Sequence, residues 1–427
     1  MKAFFKNIIV GILTLEARAI LKKYKPIVIG VTGSVGKTST KDAIAAVVGT
    51  SYTVRKSQKS FNSEFGIPLT IIGKDTAWGS VFGWLSVIMT GVVEILFSRE
   101  YPDVLVLEIG VDHPGDMARA MRWLTLDIAV VTYIGDKPVH VEAFLTVEQL
   151  VREKLLILSG IKQDGAAIFI QDDPRVLVYK GIFKGRSMTF GFNEGATVRG
   201  DKYLINYDAY GTPEGIEANI LVGSSAFPIT QKGVVGRQFI YPVLAACAVA
   251  KACAIDLEVA INALEKHEPG AGRMRLLKGV RDSILIDDTY NSSPVAAREA
   301  LEALRDVRAR GKKRAVLGDM RELGRLSKEA HKEIGELAAS VLDTLITVGS
   351  EAREIAQAAK NAGLKDVVSF DTSPEAAPYV REHVESGDAI LTKGSQGVRI
   401  EHVTKALLKD QKDIKLLVRQ GREWERR

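Results

Sequence analysis

Gly30-Val31-Thr32-Gly33-Ser34-Val35-Gly36-Lys37-Thr38-Ser39-Thr40 is the stretch that decides how the chain is read. The apolar run Ile27-Val28-Ile29 precedes it as a buried strand, and Lys41-Asp42-Ala43-Ile44-Ala45-Ala46-Val47-Val48 follows it with helical periodicity. Strand, glycine loop and helix in this order make a phosphate cradle, because loop N–H groups and the positive helix end converge on an anion. Lys37 is placed to reach the β and γ phosphates and the Thr38 hydroxyl to ligate Mg²⁺. Gly33, Ser34, Gly36 and Ser39 complete the expected nucleotide-binding set. The strict P-loop expression wants a glycine where Val31 stands; here the glycines fall at 30, 33 and 36. An ordinary glycine-rich turn is the competing reading. The register of strand, helix, Gly-Lys-Thr and Ser39 favours a nucleoside triphosphate.

With 427 residues the chain exceeds one hydrophobic core, and 46% apolar against 26% charged residues describes a globular protein. Its two cysteines, Cys247 and Cys253, lie in an Ala-rich helical stretch with no zinc-ligand or disulfide partners, which suits a reducing cytoplasm. The net charge of +6 is modest, with basic residues near both ends. No interleaving of aromatic and basic residues argues for nucleic acid.

Residues 1–25 pair an apolar segment, Phe4 to Leu15, with the basic end Leu21-Lys22-Lys23-Tyr24-Lys25. Lys6 interrupts that segment, which is too short to span a bilayer and lacks a signal-peptide cleavage site. An amphipathic helix on a membrane or on the next domain is expected. Residues 77–98 form a second apolar stretch whose one charge is Glu94. It is long enough to span, but strands of one sheet are expected on both sides of it, so a surface helix is favoured. Peripheral membrane contact through both segments is the resulting expectation.

Strands and helices alternate from Ile27 to about Glu265, with a β-rich insert expected over roughly 186–235. The alternation implies a mainly parallel sheet covered on both faces. His267-Glu268-Pro269-Gly270-Ala271-Gly272 reads as a linker. Beyond it the alternation restarts, with Ser283–Asp288 as the first strand of a Rossmann-like α/β domain. The expected organisation is a short segment (1–25), a P-loop central domain (26–267) and a C-terminal domain (268–427).

Chemistry-bearing residues fall at strand ends. Glu108 closes Val104-Leu105-Val106-Leu107, where a Mg²⁺ ligand belongs; a solvent-facing glutamate is the alternative. His140 lies in a loop after another strand, and Lys154 on the following helix; alone, each has an ordinary structural explanation. Asp287-Asp288-Thr289-Tyr290-Asn291 closes a strand of the second domain, and Arg273 stands just past the linker, within reach of a phosphate across the cleft. Gly318-Asp319-Met320 and Lys393-Gly394-Ser395 end later strands facing the same cleft.

These segments, with Asn62-Ser63-Glu64-Phe65-Gly66-Ile67-Pro68 and Leu317-Gly318-Asp319-Met320-Arg321-Glu322-Leu323-Gly324, resemble the Mur ligase family over about residues 27–410. The resemblance implies an ADP-forming peptide ligase. ATP phosphorylates a carboxylate, an amine attacks the acyl phosphate, and a tetrahedral species loses phosphate. The substrates implied are a muramoyl-peptide and D-Ala-D-Ala, in peptidoglycan precursor synthesis. By resemblance Lys37 holds phosphate, Thr38 and Glu108 one Mg²⁺, and His140 a second. Lys154 matches a position carried as a carbamate that binds metal. Asp288 and Asn291 contact nucleotide, Arg273 lies near the phosphates, and Asn62, Ser63, Asp319, Lys393 and Ser395 bind substrate. A cytoplasmic monomer is expected.

Three features depart from the family. About 25 residues precede the P-loop strand where a uridine-nucleotide-binding domain is usual. Gly236-Arg237-Gln238-Phe239-Ile240-Tyr241-Pro242 replaces the amide-bearing segment that would hold adenine. Tyr133 stands where Asn is usual. The alternatives weighed are a ligase acting on a folylpolyglutamate-type or polyamino-acid carboxylate, and a membrane-associated ATP-binding scaffold that has lost ligation.

Overall fold

The structure is a computed structural model that describes residues 2–58, 64–77, 80–421 and 424. Its P-loop strand, Ile27–Thr32, lies between Val104–Glu108 and Leu126–Val131, parallel to both. Across the sheet the order is Val54–Lys56, Val104–Glu108, Ile27–Thr32, Leu126–Val131, Ile161–Ile170, Arg186–Gly191, Val198–Tyr207, Pro213–Val222 and Ser225–Lys232. Neighbours run parallel as far as Val198–Tyr207; the last two pairings are antiparallel.

The β-rich stretch expected over roughly 186–235 is present, and its strands extend the P-loop sheet itself. Burial explains why. Phe190 and Val198 are buried, and the helix Ile240–Ala252 packs over their two strands. Ten of that helix's thirteen residues are buried, so its all-round apolar sequence needs sheet and helices on every side. One of those neighbours is Lys37–Val48, the helix that the P-loop opens.

The second sheet has the order Arg275–Lys278, Ile284–Asp288, Ala389–Lys393, Lys313–Gly318, Thr344–Val348, Asp366–Phe370, all parallel except the first pairing. The expected first strand thus has a short antiparallel neighbour before it. Four residues, Arg275-Leu276-Leu277-Lys278, are too few to declare a period. The period of two is clear inside: Leu285, Val316, Ile346 and Ile390 join one apolar layer, while Ile286, Leu317, Leu345 and Leu391 join the other. Helices cover both faces, and the carboxyl ends of the strands are left for chemistry.

A helical layer covers part of the first sheet: Lys2–Tyr24, Gly66–Ile72 and Val81–Leu96. Leu13, Ala17 and Ile20 of the first helix are fully buried in the sheet's core, so this helix packs on the neighbouring sheet. Among the described residues no helix is long and apolar enough to cross a membrane. Within residues 77–98, Val81–Leu96 form the expected surface helix.

Candidate active site

Backbone geometry explains the loop's glycines. Gly36 takes φ +82° as the N-cap of Lys37–Val48, and Gly33 takes φ +143°. A Cβ on Gly33 would lie 2.0 Å from the Thr132 hydroxyl, so the neighbouring strand leaves no room for one. The loop is tied to that strand: Ser34 and Val35 N–H donate to the Tyr133 carbonyl at 2.8 and 3.0 Å, and Thr132 Oγ1 donates to Val35 O at 2.8 Å. The first N–H groups of Lys37–Val48 have no intrahelical acceptors and mark the anion position. Lys37 points back over the loop, 3.4 Å from Ser34 O. Burial lowers its pKa, the charge of Glu108 opposing that effect and the charge of Arg273 adding to it.

Thr38 Oγ1 donates to Glu108 Oε2 at 2.9 Å, and the buried Glu108 is fixed through its own N–H, which donates to Ser57 Oγ at 3.1 Å. His140 adopts φ +67°; its Nδ1 lies 3.0 Å from Glu322 Oε2, and its Nε2 lies 3.7 Å from Asp112 Oδ1. Lys154 is fully buried on the helix Val147–Leu155, and its Nζ has no hydrogen-bond partner among the described residues. Burial, with the charge of Lys37, pulls its pKa down to about 7. The donors suit Mg²⁺, which takes one or two carboxylates, a hydroxyl and substrate phosphates in place of an all-protein cage. No cluster of three or more His, Cys, Asp or Glu forms among the described residues.

The second sheet supplies the opposite wall. Lys393 is buried and donates to Asp288 Oδ2 at 2.6 Å and to the Asn291 carbonyl at 2.9 Å. Asp288 Oδ1 also accepts from Met274 N–H at 3.3 Å. Arg273 lies over the Tyr290 ring, 4.0 Å from its centroid. A cleft of about 320 Å³ is lined by Ser34, Gly36, Lys37, Thr38, Ser39, Glu108, His140, Arg273, Asp288, Asn291 and Lys393. It adjoins a more apolar cavity of about 790 Å³ and shares with it Thr38, Phe239, Pro242, Arg273 and Tyr290.

Residues 90–250 match the Mur ligase middle domain and residues 272–396 the Mur ligase glutamate ligase domain. The UDP-N-acetylmuramoyl-tripeptide–D-alanyl-D-alanine ligase of Bacillus subtilis is 31% identical over 92% of this chain and 78% of its own length. The chain belongs to the Mur ligase family. The ligase of the same description from Synechocystis is 26% identical over 89% of this chain and 74% of its own length. Among solved structures, MurF ligase from Thermotoga maritima in complex with ADP superposes with a TM-score of 0.77 at 28% identity, covering 95% of this chain and 84% of that one.

In this Mur ligase not every expected site residue lines the central cleft. Asn62 and Ser63 lie outside the described residues. Gly33 and Lys154 stand behind its walls, the first as backbone and the second buried. Asp319 lines a separate polar cavity of about 700 Å³ with Arg321, Ser373 and His402. Its Oδ1 accepts from Ala352 N–H at 2.8 Å, and burial raises its pKa. Ser395 is buried, its hydroxyl accepting from Arg321 N–H at 2.9 Å.

Sequence reasoning assigned no role to Glu322, Asp112, Tyr290 or Phe239, all at the ligase's clefts. Glu322 lies within the Leu317–Gly324 segment, but only the fold shows that it meets His140. The C-terminal segment was missed for the same reason. Arg419 donates to Glu401 and to the Thr289 and Tyr290 carbonyls, which brings Val418, Gln420 and Trp424 to the apolar cavity.

Proposed function

We propose that the chain joins the amine of D-Ala-D-Ala to the carboxylate of a UDP-N-acetylmuramoyl-tripeptide, converting ATP to ADP and phosphate. The observation that carries this is the pairing of two walls. The phosphate cradle of one sheet faces the Arg273, Asp288 and Lys393 edge of the other across a cleft that opens into an apolar cavity. The cavity suits a purine, held by Phe239, Pro242 and Tyr290 in place of side-chain amides. The triphosphate then runs along the loop toward Lys37 and Thr38.

A substrate carboxylate oxygen attacks the γ phosphorus, the bond from that phosphorus to the β-bridging oxygen breaks, and ADP leaves. A neutral amine then attacks the acyl-phosphate carbonyl; the carbon–oxygen bond to phosphate breaks and the nitrogen loses a proton. Two anions must approach in the first step. Lys37 and Arg273 supply fixed positive charge where negative charge gathers. Thr38, Glu108, His140 and a modified Lys154 would hold two Mg²⁺, which supply further neutralisation of the transferring phosphoryl group.

Lys154 is proposed to carry the carbamate. A buried amine with no hydrogen-bond partner and a pKa near 7 is largely neutral in mildly alkaline solution, the form that adds to CO₂. Nζ bonds to the CO₂ carbon and loses a proton, leaving an anion where the unmodified chain has an orphaned donor. Asp288 and Asn291 are assigned to the nucleotide, and Asn62, Ser63, Asp319, Lys393 and Ser395 to the substrates. Residues 1–25, 26–267 and 268–427 are taken as the segment and two domains, in a cytoplasmic monomer with peripheral membrane contact.

ADP release by the purified protein with Mg²⁺-ATP, the UDP-linked tripeptide and D-Ala-D-Ala, omitting each in turn, tests the assignment. Release that needs all three is expected. Release that ignores the dipeptide, or that proceeds equally with an unrelated carboxylate, would contradict it.

A further inference from the structure

Among the described residues, the helical layer carries one exposed apolar face. Lys2–Tyr24 and Val81–Leu96 lie side by side and point the same way, as three contacts show. Lys6 lies over Phe65, which packs on Trp84; Glu16 abuts Gly91; and the Lys23 ammonium donates to the Glu94, Ile95 and Ser98 carbonyls at 3.1, 2.9 and 2.7 Å. That last contact caps the second helix with a cation. On the inside, Leu13, Ala17, Ile20 and Val87 are buried, so the layer is fixed to the sheet.

On the outside, Phe82 is 85% exposed, Leu85 56%, Met89 52%, Val93 47% and Leu96 65%. Their spacing of three and four residues puts them in one stripe. Phe97 continues it, and Leu15 and Ile8 of the neighbouring helix are exposed as well. At about 1.5 Å per residue the Val81–Leu96 helix is about 24 Å long, short of a hydrocarbon core of about 30 Å. It can lie in the interface but not cross it. Where both helices end, Arg18, Lys22, Lys25 and Arg99 are exposed beside the capping Lys23, against the acidic groups Glu94, Glu100 and Asp103.

We infer that this face docks on an anionic bilayer surface, with the Phe82–Phe97 stripe seated at the headgroup–acyl boundary and the Arg18–Lys25 cluster on lipid headgroups. An apolar stripe beside a basic cluster is the pattern of interfacial helices, and both parts contribute to one binding event. A second copy of the chain would cover the stripe but leave the cations without use. The strand Ile27–Thr32 begins just past the basic end, so that end marks the amino edge of the sheet, opposite the P-loop edge. The inference extends the membrane contact proposed above, and its test uses no ligase substrate, so it stands or falls apart from the reaction.

The full chain is sedimented with sucrose-loaded vesicles of phosphatidylcholine alone or mixed with phosphatidylglycerol, at low and high salt. Binding is expected with the anionic vesicles, at least tenfold weaker on phosphatidylcholine and reduced by salt. F82S/L85S/M89S, at exposed positions, should cut binding at least tenfold while keeping the wild-type melting temperature. K22E/K25E should weaken binding and flatten its salt dependence. Wild-type protein that stays in the supernatant, or a triple variant that binds as well as the wild type, overturns the inference. So does a solution dimer of the wild type that the triple substitution dissociates, since a second copy would then own the face.

Discussion

Lys154 is where residue-scale chemistry is sharpest. Its folded pKa of about 7 lies below the ordinary lysine value of 10.5, so between those values the unfolded chain holds a proton that the folded chain lacks. Stability of the unmodified protein therefore rises with pH from about 7 toward 10.5 and is independent of this group below 7. Carbamylation needs the neutral amine, so activity at limiting bicarbonate is expected to fall as pH drops through 7, and to be restored by added bicarbonate. Lys154→Ala should remove both the activity and a ¹³C-bicarbonate-derived carbamate resonance. At Gly33 the constraint is steric: Gly33→Ala sets a Cβ against Thr132 at a positive φ and is expected to cost about 1–3 kcal/mol, read from denaturant unfolding, with loss of ATP binding. The loop residues were legible because glycine, lysine and hydroxyl at fixed spacing have a mechanism. Glu322 was not, because nothing local distinguishes a glutamate that meets a histidine from one that meets water.

Elements were read best where a period could run. The strands Val104–Glu108 and Ile284–Asp288 follow from apolar patterning within a residue or two, whereas Ile27–Thr32 runs three residues past Ile29 into the stretch read as loop. Val54–Lys56 and Arg275–Lys278 escaped, since three or four residues carry no period. The 186–235 strands were legible as a β-rich stretch but their sheet was not, because local sequence says that a strand exists and not which neighbour it joins. The helix Ile240–Ala252 joins them to the P-loop sheet, and Leu244, fully buried within it, has no surface to relax onto. Leu244→Ala is expected to cost about 2–5 kcal/mol in chemical denaturation, with the denaturant slope unchanged.

At the scale of the molecule, the two sheets meet at polar contacts beside the cleft and again farther out, where Arg308 N–H donates to the Tyr207 hydroxyl at 3.0 Å. His140 meets Glu322; Lys137 pairs with Glu333 at 2.7 Å and Glu329 at 3.1 Å; and Arg325 donates to the Leu145 carbonyl at 2.6 Å. The His140–Glu322 and Arg325 contacts are exposed enough to be worth about 1 kcal/mol or less, while Lys137 is only 16% exposed against its glutamates, so these contacts are expected to contribute to the packing of one sheet on the other. K137A/E322A should enlarge the radius of gyration in solution scattering without ATP, and ATP with the tripeptide should reverse it; an unchanged radius would mean that the closed form rests on other contacts. The central claim is that the cleft between the sheets makes an acyl phosphate. The most direct test places ¹⁸O in the carboxylate of the tripeptide and weighs the phosphate released on ligation. One ¹⁸O transferred to phosphate for each amide bond formed is the predicted result; phosphate free of label would contradict it.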